Sequence, residues 1–213
     1  MWPVLFSLCL LGTPDKNTCD CPASDYADAA KANKVYTLTN GKKIALCGFK
    51  NDDPIVETYS EFVLALCGQN DVIGYWNALQ DCRVRPVKDT LLVEELKYLP
   101  TGIGFRYAKS VWTTEKISFV NDEPVRQLKV NRSFRKYTTP EIAEVLQQYE
   151  AAPKTLDDNA MTLINRLFVA TISGSAKARE YFKASEKNFG ILDGAYSEEY
   201  NDLKKMLTFW DQP

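Results

Sequence analysis

Near residue 137 the spacing of apolar residues changes from period two to period 3.6, and no other feature constrains the fold as much. Before that point the chain reads as strands. Val35-Tyr36-Thr37-Leu38-Thr39 is β-branched and aromatic, and Asn40-Gly41 separates it from Lys42 to Cys47. Asn-Gly between two such runs predicts a tight hairpin, because both turn positions take positive φ. In Ile55 to Cys67, Val56, Phe62, Leu64 and Leu66 share one parity, and Glu57 and Glu61 the other. Val72 to Trp76 and Cys82 to Val87 are shorter strands, with Pro86 favouring an edge. Thr90 to Leu99 is taken as a strand because Asp89 and Pro100 bound it closely. Val111 to Val120 and Val125 to Asn131 complete an expected meander of about seven antiparallel strands over residues 34-137.

After residue 137 helical signals take over. Thr138-Thr139-Pro140-Glu141 combines a cap, an early proline and a first-turn acid. A second helix follows Thr155-Leu156-Asp157-Asp158, with Met161, Leu163, Ile164, Leu167, Phe168 and Ile172 apolar. Ser173-Gly174-Ser175 ends it and caps a third, and a fourth runs from about Ala195 to Trp210. The expected fold class is therefore α+β: an antiparallel sheet followed by a C-terminal bundle of about four helices over residues 138-213.

Composition excludes disorder, collagen-like repeats and a multi-span membrane protein: 45% of the 213 residues are hydrophobic and 25% charged. The net charge of -2 does not point to nucleic acid. Histidine is absent from the whole sequence. That removes Ser-His-Asp and Cys-His catalysis and the imidazole ligands of ordinary zinc sites. No phosphate-loop, dinucleotide-loop or nucleophile-elbow motif occurs, and Gly102-Ile103-Gly104 reads as a bend. No cofactor or metal is expected.

Residues 1-33 read as a leader and a tether. Trp2 to Gly12 is an apolar run about half the length needed to span a bilayer, and it fits the hydrophobic part of a secretory signal. The basic stretch that usually precedes such a run is missing, and neither Leu8-Cys9 nor Thr18-Cys19 fits a lipidation site well. A buried first strand or helix is the alternative for this run. Residues 13-33 are polar and Ala-rich. All six cysteines, Cys9, Cys19, Cys21, Cys47, Cys67 and Cys82, fall in the first 82 residues. Disulfide pairing fits an oxidising compartment. Cys67 with Cys82 is the first expected pair, across neighbouring strands, leaving Cys47 to meet Cys19 or Cys21. Buried thiols at the strand ends are the alternative. Ala-Leu-Cys-Gly occurs twice, at 45-48 and 65-68, and strand-then-turn grammar explains both.

Residues 33-138 hold 16 Lys and Arg against 12 Asp and Glu, and residues from 139 onward hold 8 against 12. Arg126, Lys129, Arg132, Arg135 and Lys136 form the densest basic run and a candidate anion-facing surface. A solvated edge strand explains the same charges. Asp157-Asp158 and Glu198-Glu199 are the best carboxylate pairs, but helix dipole and surface charge account for them, and no catalytic residue is assigned. The function expected is that of an exported or envelope-associated bacterial-type binding or scaffold protein. Its expected partner is another protein or an envelope component, with membrane association only through residues 2-12. A carboxylate-based glycan hydrolase and a cytosolic immunity or inhibitor protein are the alternatives.

Overall fold

The computed structural model describes residues 19–22, 31–69, 71–155, 157–190 and 194–212. The apolar run at 2-12 and most of the tether lie outside these. Eight strands precede four helices: β1 (Lys34–Thr37), β2 (Lys43–Lys50), β3 (Tyr59–Leu66), β4 (Val72–Trp76), β5 (Asp81–Val87), β6 (Thr90–Leu99), β7 (Ala108–Val120) and β8 (Glu123–Val130), then α1 (Thr139–Ala151), α2 (Asp158–Ile172), α3 (Ala176–Phe189) and α4 (Gly194–Trp210). The α+β class expected from the change of period is what the molecule adopts.

The strand order is β1-β2-β3-β5-β6-β7-β8, with β4 paired to β3 off this path. The meander is thus interrupted once. Strand β3 changes partner along its length: Phe62 to Ala65 pairs with β4, whereas Tyr59 pairs with Cys82 of β5. Between these stretches Glu61 takes φ 45°, and such a local departure re-aims a strand. The chain forms two compact units, residues 1–93 with 116–126, and residues 94–115 with 127–213.

In the first unit, alternation sorts β2 and β3 onto two faces. Ile44, Leu46, Phe62 and Leu64 join Tyr36, Tyr59, Trp76, Cys82, Leu91 and Ile117 in a buried core. The opposite face is small: Ala45 stands opposite Ala65, and Cys47 opposite Val63. It packs under Cys21, Ala32 and Cys67. Two disulfides hold the N-terminal segment there, Cys19–Cys67 and Cys21–Cys47. Asp20 bridges Lys31 antiparallel beside them.

The expected Cys67–Cys82 pair does not form. Cys82 points into the large-residue core with Tyr59, and Cys67 lies on the opposite face, so parity separates two cysteines that look adjacent in sequence. Cys47 does pair with Cys21, one of its two expected partners.

The repeated Ala-Leu-Cys-Gly segments run antiparallel with Ala45 and Ala65 in register. Their glycines serve different needs. Gly68 turns the chain at φ +76°. Gly48 leaves room for β3, since a Cβ there would lie 2.4 Å from the Glu61 carbonyl oxygen and the Phe62 backbone.

In the second unit α2 is buried nearly all round, with Met161, Ile164, Leu167 and Phe168 in a core shared with Leu99, Phe105, Trp112 and Tyr137. The helix starts are set by side chains. Thr138 and Glu141 form a reciprocal capping box, Asp157 accepts from the Ala160 amide and Ser175 from the Ala178 amide.

Replacing Gly48 with alanine forces a Cβ into backbone that has no room to yield. Gly48→Ala is expected to lower unfolding free energy by about 2 kcal/mol or more, read from urea denaturation.

Candidate functional site

The five basic residues from Arg126 to Lys136 are divided between the two units. Arg126, in the first unit, lays its guanidinium 5.1 Å from the Trp76 ring centre and donates to the Ile73 carbonyl. The other four belong to the second unit. Arg132 donates to the Trp210 and Gln212 carbonyls at the end of α4 and stacks 5.1 Å over Trp210. Lys136 lies 6.0 Å from the same ring. Arg135 donates to the Thr101 and Gly102 carbonyls and pairs with Glu141. It thereby holds the Gly102-Ile103-Gly104 bend, which forms a single 3-10 turn over Ile103–Phe105. Lys129 is exposed. Three of the five thus bond main-chain carbonyls, a role that sequence cannot display.

Three of the four carboxylates in the two pairs are likewise committed. Asp157 caps α2, Asp158 accepts from the Tyr196 hydroxyl at 2.7 Å, and Glu199 accepts from Asn165 at 2.6 Å. Glu198 is exposed. Among the described residues, no group of three or more Cys, Asp or Glu is placed to hold a metal. No described helix is long and apolar enough to cross a membrane.

One concave site of the second unit lies elsewhere, between the C-terminal end of α1 and the first turns of α2. It is a groove of about 440 Å³ lined by Gln148, Pro153, Asn159, Thr162, Arg166 and Phe189, among others. That volume falls in the range of small-molecule sites. Helical spacing puts Asn159, Thr162 and Arg166 on one stripe of α2, while Met161, Ile164, Leu167 and Phe168 face the core.

Arg166 is the unusual member. Its guanidinium lies 4.8 Å from the Phe105 ring centre, and its Nη1 donates to Gln148 Oε1 at 2.8 Å. Its Nε is buried without a hydrogen-bond partner, the one such side-chain atom among the described residues. It makes no ion pair with a described carboxylate, unlike Arg135 with Glu141 and Arg179 with Asp211.

Aromatic residues back the site. Phe105 meets Tyr137 edge-on at 5.1 Å, and the Tyr137 hydroxyl donates to the Pro100 carbonyl at 2.6 Å. Burial holds the Tyr137 hydroxyl well above its ordinary pKa. Tyr107 hydrogen-bonds Thr162 and is pushed up, first by burial and then by the negative charge of Glu199. Tyr98, 65% exposed, packs on Tyr107 at 5.2 Å.

The sequence did carry a signal for Arg166. It is the lone cation of the most apolar helix, and positions 162, 163, 169 and 170, one turn to either side, are Thr, Leu, Val and Ala. An arginine with no acid within reach along its helix must find its counter-charge elsewhere.

Two expectations follow from this chemistry. A buried donor left unbonded costs on the order of 1–3 kcal/mol. Arg166→Met keeps the aliphatic stem out to the position of Nε and removes that donor, so thermal unfolding should show it no less stable than the parent. Glu141 is held below its usual pKa of 4.5, chiefly by Arg135 and by the Thr138 amide. A depressed folded-state pKa means that its stabilisation is complete above pH 4.5 and is lost as pH falls through the lower folded value. In Glu141→Gln this acid-dependent component of stability should disappear, as measured by urea midpoints across that range.

The chain matches no protein-family model, no curated protein and no solved structure, so its function has to be argued from the disulfides and the groove themselves.

Proposed function

We propose that the chain is an exported, extracytoplasmic binding protein. The observation that carries this reading is the double disulfide from Cys19-Asp20-Cys21 to Cys47 and Cys67. Disulfides persist in oxidising compartments and are reduced in most cytosols. These two do structural work. The face they cover, with Ala45, Cys47, Val63 and Ala65, offers little apolar area to retain an N-terminal segment by burial alone. Loops closed across 48 and 26 residues are each worth on the order of 3–4 kcal/mol in the chain-entropy account. The shorter is nested in the longer, so the two contributions do not simply add. A reducing compartment would remove this support.

Binding, as opposed to turnover, is favoured by how the acidic groups are spent. Asp157, Asp158 and Glu199 each hold a neighbouring structural group. The groove beside Arg166 combines apolar walls with a few convergent polar atoms, the make-up of a ligand site. The envelope component or protein partner expected from the sequence remains part of this proposal.

Thiol accounting on protein purified from its native host tests the compartment. Intact mass after alkylation in denaturant, without reductant, should show Cys19, Cys21, Cys47 and Cys67 unmodified. Cys82, which lies outside both bridges, should react after unfolding and stay protected in the folded protein. Four reactive thiols at the bridge positions in freshly isolated protein would overturn the export reading.

A further inference from the structure

We infer that the groove between α1 and α2 binds a small monocarboxylate with an apolar body, and that Arg166 is the residue that anchors the carboxylate. The inference deepens the binding half of the proposed function and is independent of the export half.

Charge is the first argument. A guanidinium has five N–H donors and always carries its charge. Arg166 uses one donor on the neutral amide of Gln148, which in turn donates to Glu144, and its guanidinium lies 4.8 Å over the Phe105 ring centre. Neither contact supplies a negative charge, and the described residues supply none by ion pairing. Its Nε has no acceptor and is closed to solvent, so a ligand in the groove is met by the Nη donors. A planar carboxylate accepts two parallel hydrogen bonds from such a fork, which gives it an advantage over a neutral acceptor.

The supporting groups favour a fixed guanidinium. The Phe105 ring backs the guanidinium, and Tyr137 meets Phe105 edge-on. Gln148 Oε1 is a side-chain acceptor on one helix, so it can give up Nη1 when a stronger acceptor arrives. Little arginine entropy is then lost on binding.

The walls define the rest of the ligand. Ala151, Ala152, Pro153, Leu163 and Phe189 present apolar surface, and Asn159 and Thr162 add neutral polar groups. Asp157 also lines the groove, with its carboxylate oxygens accepting from the Ala160 amide and from Asn159. This single acid disfavours ligands carrying a second negative charge nearby. One carboxylate on an apolar body therefore suits the site better than a phosphate or a dicarboxylate.

Such a carboxylate exists as a free organic acid or as the C-terminus of a short peptide. The test uses the oxidised full chain and follows backbone amide shifts by NMR. The probes are 4-phenylbutyrate and N-acetyl-Ala-Phe with a free carboxylate, each compared with its neutral amide counterpart. The expected result is saturable shifts confined to residues around 148–153 and 159–166, with at least tenfold weaker binding of the neutral counterparts. Whichever carboxylate binds more tightly identifies the source. Arg166→Met, expected to fold as the parent does, should lose tenfold or more in affinity for the acid while leaving the weak binding of the amide unchanged. Arg166→Lys, which keeps the charge and loses the planar fork, should fall between them. Equal binding of acid and amide would overturn the inference, as would full retention of acid binding by Arg166→Met. The absence of saturable shifts at 10 mM probe would overturn it as well. None of these outcomes bears on the thiol accounting, so the ligand class and the compartment fail separately.

Discussion

Ala45 stands opposite Ala65, and from that register the rest of the first unit follows. A strand shows its side chains alternately to two faces, so fixing one pair fixes every neighbour. Leu46 opposite Leu64 then builds the large core, and Cys47 with Cys67 falls on the small-residue face. A face of alanines and one valine cannot hold a covering segment through apolar area alone. Two cysteines spaced one residue apart solve this, because alternate residues of an extended segment point the same way. Cys19 and Cys21 both reach the sheet, while Asp20 between them pairs with Lys31.

The second unit is organised differently, around a helix with little polar surface. Trp112 gathers Phe134, Phe168 and Trp210 within 6.0 Å, and aromatic pairs of this kind add to the gain from burial alone. The ends of this cluster are closed by cations. Arg132 bonds the last carbonyls of α4, where the helix dipole favours positive charge. Burial also raises the Tyr200 hydroxyl to about 12, where it donates to the Phe182 carbonyl. The Tyr137 and Tyr200 hydroxyls are thus matched to main-chain acceptors.

Local patterns were legible in the sequence, and long-range partners were not. The hairpin at Asn40-Gly41, the Thr138 cap and the Gly174 joint are each decided by a few adjacent residues and appear in the fold, although at the hairpin only Gly41, and not Asn40, takes the expected positive φ. The fork at β4 depends on the conformation of Glu61, a residue type with no special preference for positive φ. The Cys67–Cys82 expectation weighed nearness along the chain above parity, although the alternation through Phe62, Leu64 and Leu66 already opposed Val63, Ala65 and Cys67. Arg132 and Arg135 read as an exposed run because their acceptors, at Trp210 and Thr101, lie 78 and 34 residues away. Arg166 could have been found from its acid-free helical neighbourhood, but the groove beside it is a product of tertiary packing.

Arg126, Arg132 and Arg166 lie over aromatic rings, and what their donors meet sets them apart. Arg126 over Trp76 reaches the Ile73 carbonyl, and Arg132 over Trp210 reaches two carbonyls at a helix end. Main-chain acceptors in regular structure are fixed, so these contacts are part of the scaffold. Arg166 over Phe105 meets only the tip of Gln148, a side-chain group whose other end donates to Glu144 on the surface of α1. A scaffold arginine gains by having its donors bonded within the chain, whereas an arginine that serves a ligand must leave donors uncommitted until the ligand arrives. The buried Nε of Arg166 is an energetic cost with no return in the folded chain alone.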